Sequence, residues 1–447
     1  MRSPSIDMQN EARLAALDAL ERCRREGAWS AAALDGVIKK YDLDPRDGAL
    51  ASRLCLGVLQ NSSFCDYYID CYCRTPGHKI QAKLRDILRL GVYQLLFMDK
   101  IPARAAVNET VALCRKAGLD RAGGLVNAVL RRVSENREHL PAIPGEGTAA
   151  CLSIRYSHPQ WLVERLLKEH DYAFVEAFLA SNNKPAKLTI QVNTRKVSTE
   201  EYLRALTRAD IPFERFDGLE GCLCLAGGQV AQLPGFEEGL FYVQDRAARS
   251  AVTAAGVRPG MRVLDTCAAP GGKSFAAALD MEDTGEIISC DIHEKKLRLI
   301  EEGAKRLGLS CLSTRAADAR KAEKSFLESF DLVMTDVPCS GLGVIGKRPE
   351  IRYKTESELA ALPGIQADIL RNACAYVKPG GTLLYSTCTI LREENEDQIR
   401  AFLDENPGFE AADFQIGSLH SENGMYTFWP QTDGTDGFFV AKLKRKE

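Results

Sequence analysis

Asp265-Thr266-Cys267-Ala268-Ala269-Pro270-Gly271-Gly272-Lys273 is the stretch that determines the fold class of this chain. It follows a short apolar segment, Arg262 to Asp265, and precedes a helical stretch. Small residues after a strand let the backbone approach a ligand, and the N-terminus of the following helix favours an anionic group. The stretch therefore predicts a strand, a ligand-binding turn and a helix of an α/β sheet.

Strand-like and helical segments alternate from about residue 241 to the end of the chain. The further strands are predicted at Ile287 to Asp291, Asp331 to Asp336, Gly381 to Ser386 and Gly437 to Leu443. This alternation is typical of a parallel, doubly wound sheet. Because ligands of such sheets bind beyond the carboxyl ends of the strands, we expect Asp291 to contact the hydroxyls of a ribose.

Two other nucleotide-binding motifs fit this turn poorly. Gly272-Lys273-Ser274 resembles the end of a phosphate-binding P-loop, but Cys267 stands where that motif needs its first glycine. A nicotinamide-binding turn would need G-x-G-x-x-G, which the chain lacks here. A turn without any ligand is disfavoured because an acidic residue recurs at the end of the next strand.

Two cysteines follow later strands of the predicted sheet. Cys339 lies in Asp336-Val337-Pro338-Cys339-Ser340-Gly341, and Cys388 lies in Ser386-Thr387-Cys388-Thr389. A single cysteine is most often a small buried hydrophobic residue. Two cysteines in loops at the same edge of a sheet instead indicate a reactive pair beside the ligand.

These motifs resemble the RNA cytosine-C5 methyltransferases of the NOL/NOP2/Sun family. The first three stretches stand in that family's order, and three further stretches carry the resemblance upstream: Tyr156 to Val163, Val192-Asn193-Thr194 and Gln244 to Ala248. The N-terminal region is similar to the NusB-like RNA-binding fold at Ile87 to Leu96, Ile101-Pro102, Val107 to Val111 and Val126 to Leu130. Together the resemblance covers nearly the whole chain.

The resemblance implies a multidomain fold. Residues 1–145 are expected to form an all-α NusB-like RNA-binding domain that contributes RNA affinity but no chemistry. Residues 151–240 are expected to form a small α+β RNA-binding domain, and residues 241–447 an α/β Rossmann-like methyltransferase domain. The breaks lie at Pro141 to Gly145, and at Gly227-Gly228 and Pro234-Gly235.

The resemblance also implies the cofactor, the substrate and the site residues. The cofactor is S-adenosylmethionine, and the implied reaction methylates one cytosine of 16S ribosomal RNA, free or in an early small-subunit assembly particle. The implied cofactor-binding residues are Cys267, Ala268, Ala269, Pro270, Gly271, Gly272, Lys273, Asp291, Asp318 and Asp336. Cys388 is the implied nucleophile, and Cys339 is implied to assist product release. Asp336 is expected at the site where the methyl group meets the target base.

The chemistry gives a reason for a thiol at this place. Carbon C5 of cytosine is too weak a nucleophile to take a methyl group directly. A thiolate that adds to C6 makes C5 enamine-like, and the covalent adduct divides one difficult step into easier ones. Asp336 is expected to protonate or hold ring nitrogen N3 as charge builds during the addition.

Two other functions remain open from the sequence. A DNA cytosine-C5 methyltransferase uses the cysteine of its Pro-Cys motif as the nucleophile and has no second cysteine after the next strand, so Cys388 argues against it. A non-catalytic NusB-like RNA-binding factor would not need the set of acidic residues and cysteines at the strand ends.

Composition sets the remaining expectations. The 447 residues carry a formal net charge of −3, so any basic RNA-binding surface must be local. The basic residues Lys347, Arg348, Arg352 and Lys354 flank the catalytic loop and are expected to contact phosphate; Lys442, Lys444, Arg445 and Lys446 close the chain. Dispersed histidines and fifteen cysteines without a C-x-x-C pair favour reduced thiols, with no metal. We expect a cytoplasmic monomer without a membrane segment or export signal.

Overall fold

The computed structural model of the chain describes residues 6–226 and 230–447. The predicted turn at Gly227-Gly228 lies outside these residues, as do the first five residues of the chain. The chain divides into two compact units. The helical unit comprises Met1–Lys184 and Ile345–Lys354, and the α/β unit comprises Pro185–Val344 and Thr355–Glu447. The division into three domains at 145, 151 and 240 stays a prediction.

The described part of the helical unit contains ten α-helices. They are α1 Ile6–Glu26, α2 Ser30–Lys40, α3 Pro45–Gln60, α4 Ser62–Tyr72, α5 Ala82–Phe97, α6 Ala103–Lys116, α7 Gly123–Glu135, α8 Ala149–Tyr156, α9 Gln160–Glu169 and α10 Tyr172–Ser181. The apolar residues Ile87, Leu88 and Leu90 of α5 are fully buried, as their helical spacing predicts. The all-α prediction for the N-terminal region is confirmed.

Local sequence explains where these helices begin and end. Asp44 caps α3 by accepting a hydrogen bond from the backbone N–H of Asp47, and Thr148 caps α8 in the same way. Helix α6 begins at Ala103, directly after Pro102. Gly118, with φ of 76°, follows its end, where the left-handed conformation favours glycine.

The α/β unit begins with a small antiparallel sheet. Its elements are β1 Leu188–Val192, α11 Thr199–Arg208, β2 Phe213–Phe216, β3 Leu219–Leu225 and β4 Phe241–Val243, and the strand order is β2-β3-β1-β4. Ser198 and Glu201 form a capping box at the start of α11. This arrangement confirms the small α+β region.

The large sheet follows. Its elements are α12 Arg246–Ala255, β5 Arg262–Asp265, α13 Gly272–Asp280, β6 Glu286–Asp291, α14 Glu294–Leu307, β7 Leu312–Ala316, β8 Phe330–Asp336, α15 Glu356–Leu359, α16 Leu362–Tyr376, β9 Val377–Thr387, α17 Glu396–Glu405, β10 Phe409–Ala411, β11 Gln415–Ile416, β12 Leu419–His420, β13 Met425–Phe428, α18 Pro430–Asp433 and β14 Phe438–Arg445. The strand order is β10-β14-β9-β8-β5-β6-β7, with β13 also paired to β14 and β11 paired to β12 outside this sheet. Strands β5 to β9 are parallel, so their carboxyl ends lie along one edge.

Two details of this sheet differ from the sequence prediction. The last strand, β14, runs antiparallel to β9 rather than parallel to it. The strand β7 was not predicted, because its sequence, Leu312-Ser313-Thr314-Arg315-Ala316, has little apolar character and forms a partly exposed edge of the sheet. The Rossmann-like fold itself is confirmed.

Among the residues that the structure describes, no helix has the length and apolar character needed to cross a bilayer. In the same part of the chain, no group of three or more His, Cys, Asp or Glu side chains is arranged to hold a metal ion. None of the fifteen cysteines, all of which lie in the described residues, forms a disulfide.

Candidate active site

The predicted ligand-binding turn connects β5 to α13. Its backbone is tight, because Gly271 donates its N–H to the carbonyl of Ala268, and Ala268 donates to the carbonyl of Cys290 on β6. Gly271 has φ of 110°, and a Cβ there would lie 2.6 Å from the ring of Phe275. Glycine is therefore required at this position, where α13 begins.

A buried carboxyl stands at the base of this turn. Asp265, the last residue of β5, has no exposed surface and accepts a hydrogen bond from Ser274 Oγ at 2.7 Å. Ser289 donates to Ser274 in turn, at 2.8 Å. Burial raises the pKa of Asp265 to about 6, although the Ser274 hydroxyl and the Lys273 ammonium oppose this shift.

Two of the three acids predicted for the cofactor, Asp291 and Asp318, stand at the ends of neighbouring strands. Asp265 pairs in register with Ser289, so Asp291 stands two residues farther along the sheet edge, where one oxygen accepts the backbone N–H of His293. Asp318 follows β7, and both of its oxygens accept hydrogen bonds from Arg320 at 2.9 Å. A turn of small residues with carboxylates at adjacent strand ends fits a ligand that carries ribose hydroxyls.

The side-chain ammonium of Lys273, a residue predicted to bind the cofactor, forms an ion pair with Asp336. It lies 2.7 Å from Asp336 Oδ2 and 5.1 Å from the centre of the Phe438 ring, and Ser386 donates to Asp336 Oδ1 at 3.1 Å. Burial lowers the pKa of Lys273, but the Asp336 carboxylate outweighs this effect and the net pKa lies above its ordinary value. Lys273 therefore remains an ammonium beside Asp336.

The two predicted cysteines meet at the same edge. Asp336 of β8 and Ser386 of β9 pair in register, so the loops that follow them are adjacent. The sulfur atoms of Cys339 and Cys388 are 3.2 Å apart. The hydrogen bond to Cys388, together with burial, raises the pKa of the Cys339 thiol well above its ordinary value. Cys339 is thus the partner that keeps a proton.

Comparisons with known proteins agree along the whole chain. The sequence model described as 16S rRNA methyltransferase RsmB/F matches residues 253–444, the NusB family matches residues 10–135, and the RsmF/B-like ferredoxin-like domain matches residues 158–231. The chain is 36% identical over 441 residues to the probable ribosomal RNA small subunit methyltransferase B of Bacillus subtilis strain 168. That match covers 96% of this chain and 98% of the relative.

The chain belongs to the ribosomal RNA small subunit methyltransferase B family. The family member of Vibrio cholerae serotype O1 (El Tor Inaba N16961) is 35% identical over 410 residues, which cover 91% of this chain and 92% of that protein. The solved structure of the protein PH0851 superposes with a TM-score of 0.81 at 28% identity, over 99% of this chain and all of that one. Membership of this methyltransferase family makes S-adenosylmethionine the cofactor.

Residues that the sequence did not single out support the loop of Cys339 in this family member. Glu394, which is 1% exposed, accepts the backbone N–H of Ser340 at 2.9 Å and the side-chain amide of Gln366 at 2.8 Å. Gln366 also donates to the carbonyl of Pro338 at 2.9 Å. No sequence motif signals Gln366 or Glu394, because both lie outside the motifs that carry the cysteines.

One predicted phosphate contact is wrong. Arg352 is only 5% exposed, and its guanidinium donates to oxygens inside the helical unit. Arg348 lies over the ring of Trp29, 4.8 Å from its centre. Basic side chains that follow the catalytic loop therefore hold this stretch of the chain in place as well as carry charge.

Proposed function

We propose that the chain transfers a methyl group from S-adenosylmethionine to C5 of a cytosine in 16S ribosomal RNA, through a covalent bond between Cys388 and C6 of the base. The observation that carries the proposal is the contact between the two thiols, whose sulfur atoms are 3.2 Å apart. Cys339 follows β8, which ends at Asp336, and Cys388 follows the neighbouring strand β9. Family membership supports ribosomal RNA as the substrate. The cytoplasmic location and the monomeric state stay predictions.

Cys388 performs the first step. The raised pKa of Cys339 keeps a proton on that thiol, and Cys388 lies 3.2 Å from it as the nucleophile of the proposal. The thiolate attacks C6, and the C5–C6 π electrons move to C5. Lys273 and Asp336 stand beside this reaction, and the lysine ammonium stabilises the negative charge that develops on the ring.

S-adenosylmethionine, when bound, would supply an electrophilic methyl group, with which the electron pair on C5 forms the new C–C bond. Cys388 is a neutral thioether once the adduct has formed, so the hydrogen-bonded charge that raised the pKa of Cys339 is gone. Cys339 then releases its proton to water and takes the proton from C5. The C5–H electrons re-form the C5–C6 double bond, and the C6–S electrons return to Cys388 as a thiolate.

The cysteine roles are tested by trapping. Cys388→Ala should abolish turnover and form no covalent complex with RNA, because no thiolate is left to add to C6. Cys339→Ala should still add and methylate but stall before elimination, so a protein–RNA complex should accumulate as a shifted band on a denaturing gel.

The double variant Cys339→Ala/Cys388→Ala is the control and should lose the band. Cys374→Ala, which removes a thiol of α16 that lies outside both motifs, should behave like the unchanged protein. Trapping in Cys388→Ala and none in Cys339→Ala would make Cys339 the nucleophile, as in the DNA enzymes. A protein that binds RNA but transfers no methyl group would support the binding-factor alternative.

A further inference from the structure

The ten residues that follow the catalytic loop belong to the helical unit. The chain leaves the α/β unit after Val344, folds with the helical unit over Ile345–Lys354, and returns at Thr355. We call residues 345–354 the anchor segment. It contains a short 3-10 helix, Pro349–Tyr353. The loop that precedes it carries Cys339.

Arg352 is the centre of the anchor segment. Its guanidinium donates to the backbone carbonyls of Gln60 at 2.8 Å, Tyr156 at 2.9 Å and Ser157 at 3.0 Å. It also donates to the carbonyl of Asn182 at 3.3 Å and to Asn183 Oδ1 at 2.6 Å. These acceptors stand at the ends of α3, α8 and α10, so one buried side chain joins three helix termini.

The neighbours of Arg352 add further ties. Glu350 accepts from the backbone N–H of Ser30 at 3.2 Å and from its hydroxyl at 2.7 Å, at the start of α2. Tyr353 donates its hydroxyl to the carbonyl of Leu59 at 3.1 Å, and Trp161 donates its indole N–H to the carbonyl of Lys354 at 3.2 Å. The segment is thus fixed along its length rather than at one point.

On both sides of the anchor segment, the chain leads to residues that contact the loops of the two cysteines. Upstream, Gly343 donates its N–H to the carbonyl of Cys388, and three residues later a Cβ on Gly346 would lie 3.4 Å from the carbonyl oxygen of Asn182. Three residues of chain span at most about 11 Å. A displacement of Gly346 against Asn182 therefore also displaces Gly343 and its hydrogen bond to Cys388. Downstream, α16 carries Gln366, which bonds to Pro338 beside Cys339.

We propose that Arg352 is a positioning residue for Cys339: through the anchor segment, the folded helical unit sets the loop that removes the C5 proton. This inference rests on the proposed function and deepens it. The carbonyl of Cys388 accepts from Gly343 of this loop, but Cys388 directly follows β9, which pairs with β8 and β14 up to Ser386 and Thr387, so its addition to C6 depends less on the anchor. The helical unit then contributes to chemistry as well as to RNA affinity.

The test uses the full chain with Arg352→Met. Methyl transfer in a single turnover should stay within about twofold of the unchanged protein, while steady-state turnover falls roughly tenfold to a hundredfold, the range expected for a small misplacement. The covalent RNA complex should accumulate as in Cys339→Ala. Arg132→Met is the matched control, since it removes an arginine-to-carbonyl bond to Tyr72 in the same unit, and it should trap no complex.

Ser30→Ala is the second variant, because it weakens the tie to Glu350 and leaves Arg352 in place; it should show a smaller change in the same direction. Equal losses of single-turnover and steady-state rates in Arg352→Met, or a loss of turnover without a trapped complex in both variants, would overturn the proposal. If Cys339→Ala also traps nothing, the proposed function itself fails. If Cys339→Ala traps a complex and Arg352→Met does not, only the positioning role fails.

Discussion

Replacing Asp265 with asparagine should change how the stability of the α/β unit depends on pH. Asp265 is fully buried at the end of β5, and burial raises the pKa of its carboxyl to about 6 from 3.8. An asparagine keeps an oxygen that can accept from Ser274, but it does not titrate. The two proteins should therefore differ by an amount that varies with pH.

The sign follows from proton linkage. Between pH 3.8 and about 6 the folded protein holds a proton on Asp265 that the unfolded chain has released. The free energy of unfolding therefore falls as pH rises through this window. At about 1.4 kcal/mol for each pH unit, the stabilisation present below pH 3.8 and lost above pH 6 is about 3 kcal/mol. The Asp265→Asn variant does not lose this stabilisation as pH rises, because its side chain does not titrate.

Urea unfolding at several values of pH between 4 and 8 measures the difference. Both proteins should carry Trp29→Phe and Trp161→Phe, so that Trp429, the remaining one of three tryptophans, reports on the α/β unit. Relative to its parent, Asp265→Asn should gain about 3 kcal/mol from pH 4 to pH 8. A constant difference, or one that shrinks as pH rises, would refute the assignment of a raised pKa to Asp265.

Two further predictions concern ligand binding and catalysis. Asp291→Asn keeps an acceptor for the His293 N–H but loses the charge, and it should weaken S-adenosylmethionine binding about tenfold to a hundredfold by calorimetry; unchanged affinity would place the ribose elsewhere. Lys273→Met should lower the single-turnover methylation rate about a hundredfold or more by removing the ammonium beside Asp336, whereas Lys378→Met, a surface partner of Asp331, should not; equal rates would leave Lys273 without a catalytic role.

The sequence predicts the sheet best where side chains are buried on both sides. The strands that carry Asp265, Asp291 and Asp336 are short apolar runs that end in an acid, and the structure has all three. The apolar pattern does not predict the edge strand β7, because an exposed strand needs few apolar residues. The antiparallel direction of β14 is also invisible, since direction depends on which neighbour a strand pairs with.

The candidate site divides in the same way. Motif spacing predicts that Cys339 and Cys388 lie together, because each comes within three residues of the end of a strand of one sheet, and the structure places their sulfur atoms 3.2 Å apart. The same spacing does not predict that Lys273 bonds to Asp336, since that contact joins separate loops. Arg352 is the largest failure, because a basic residue next to a catalytic loop has the same sequence pattern whether it faces RNA or the protein interior.

The divided helical unit also has a consequence for the order of events during synthesis. A domain at the N-terminus ordinarily folds as soon as it leaves the ribosome. Here the carbonyls of Gln60, Tyr156 and Ser157 must wait for Arg352, and residues 185–344 are translated in between. We expect the nascent helical unit to stay incompletely closed until residue 354 has emerged, so that its maturation and that of the loop carrying Cys339 coincide.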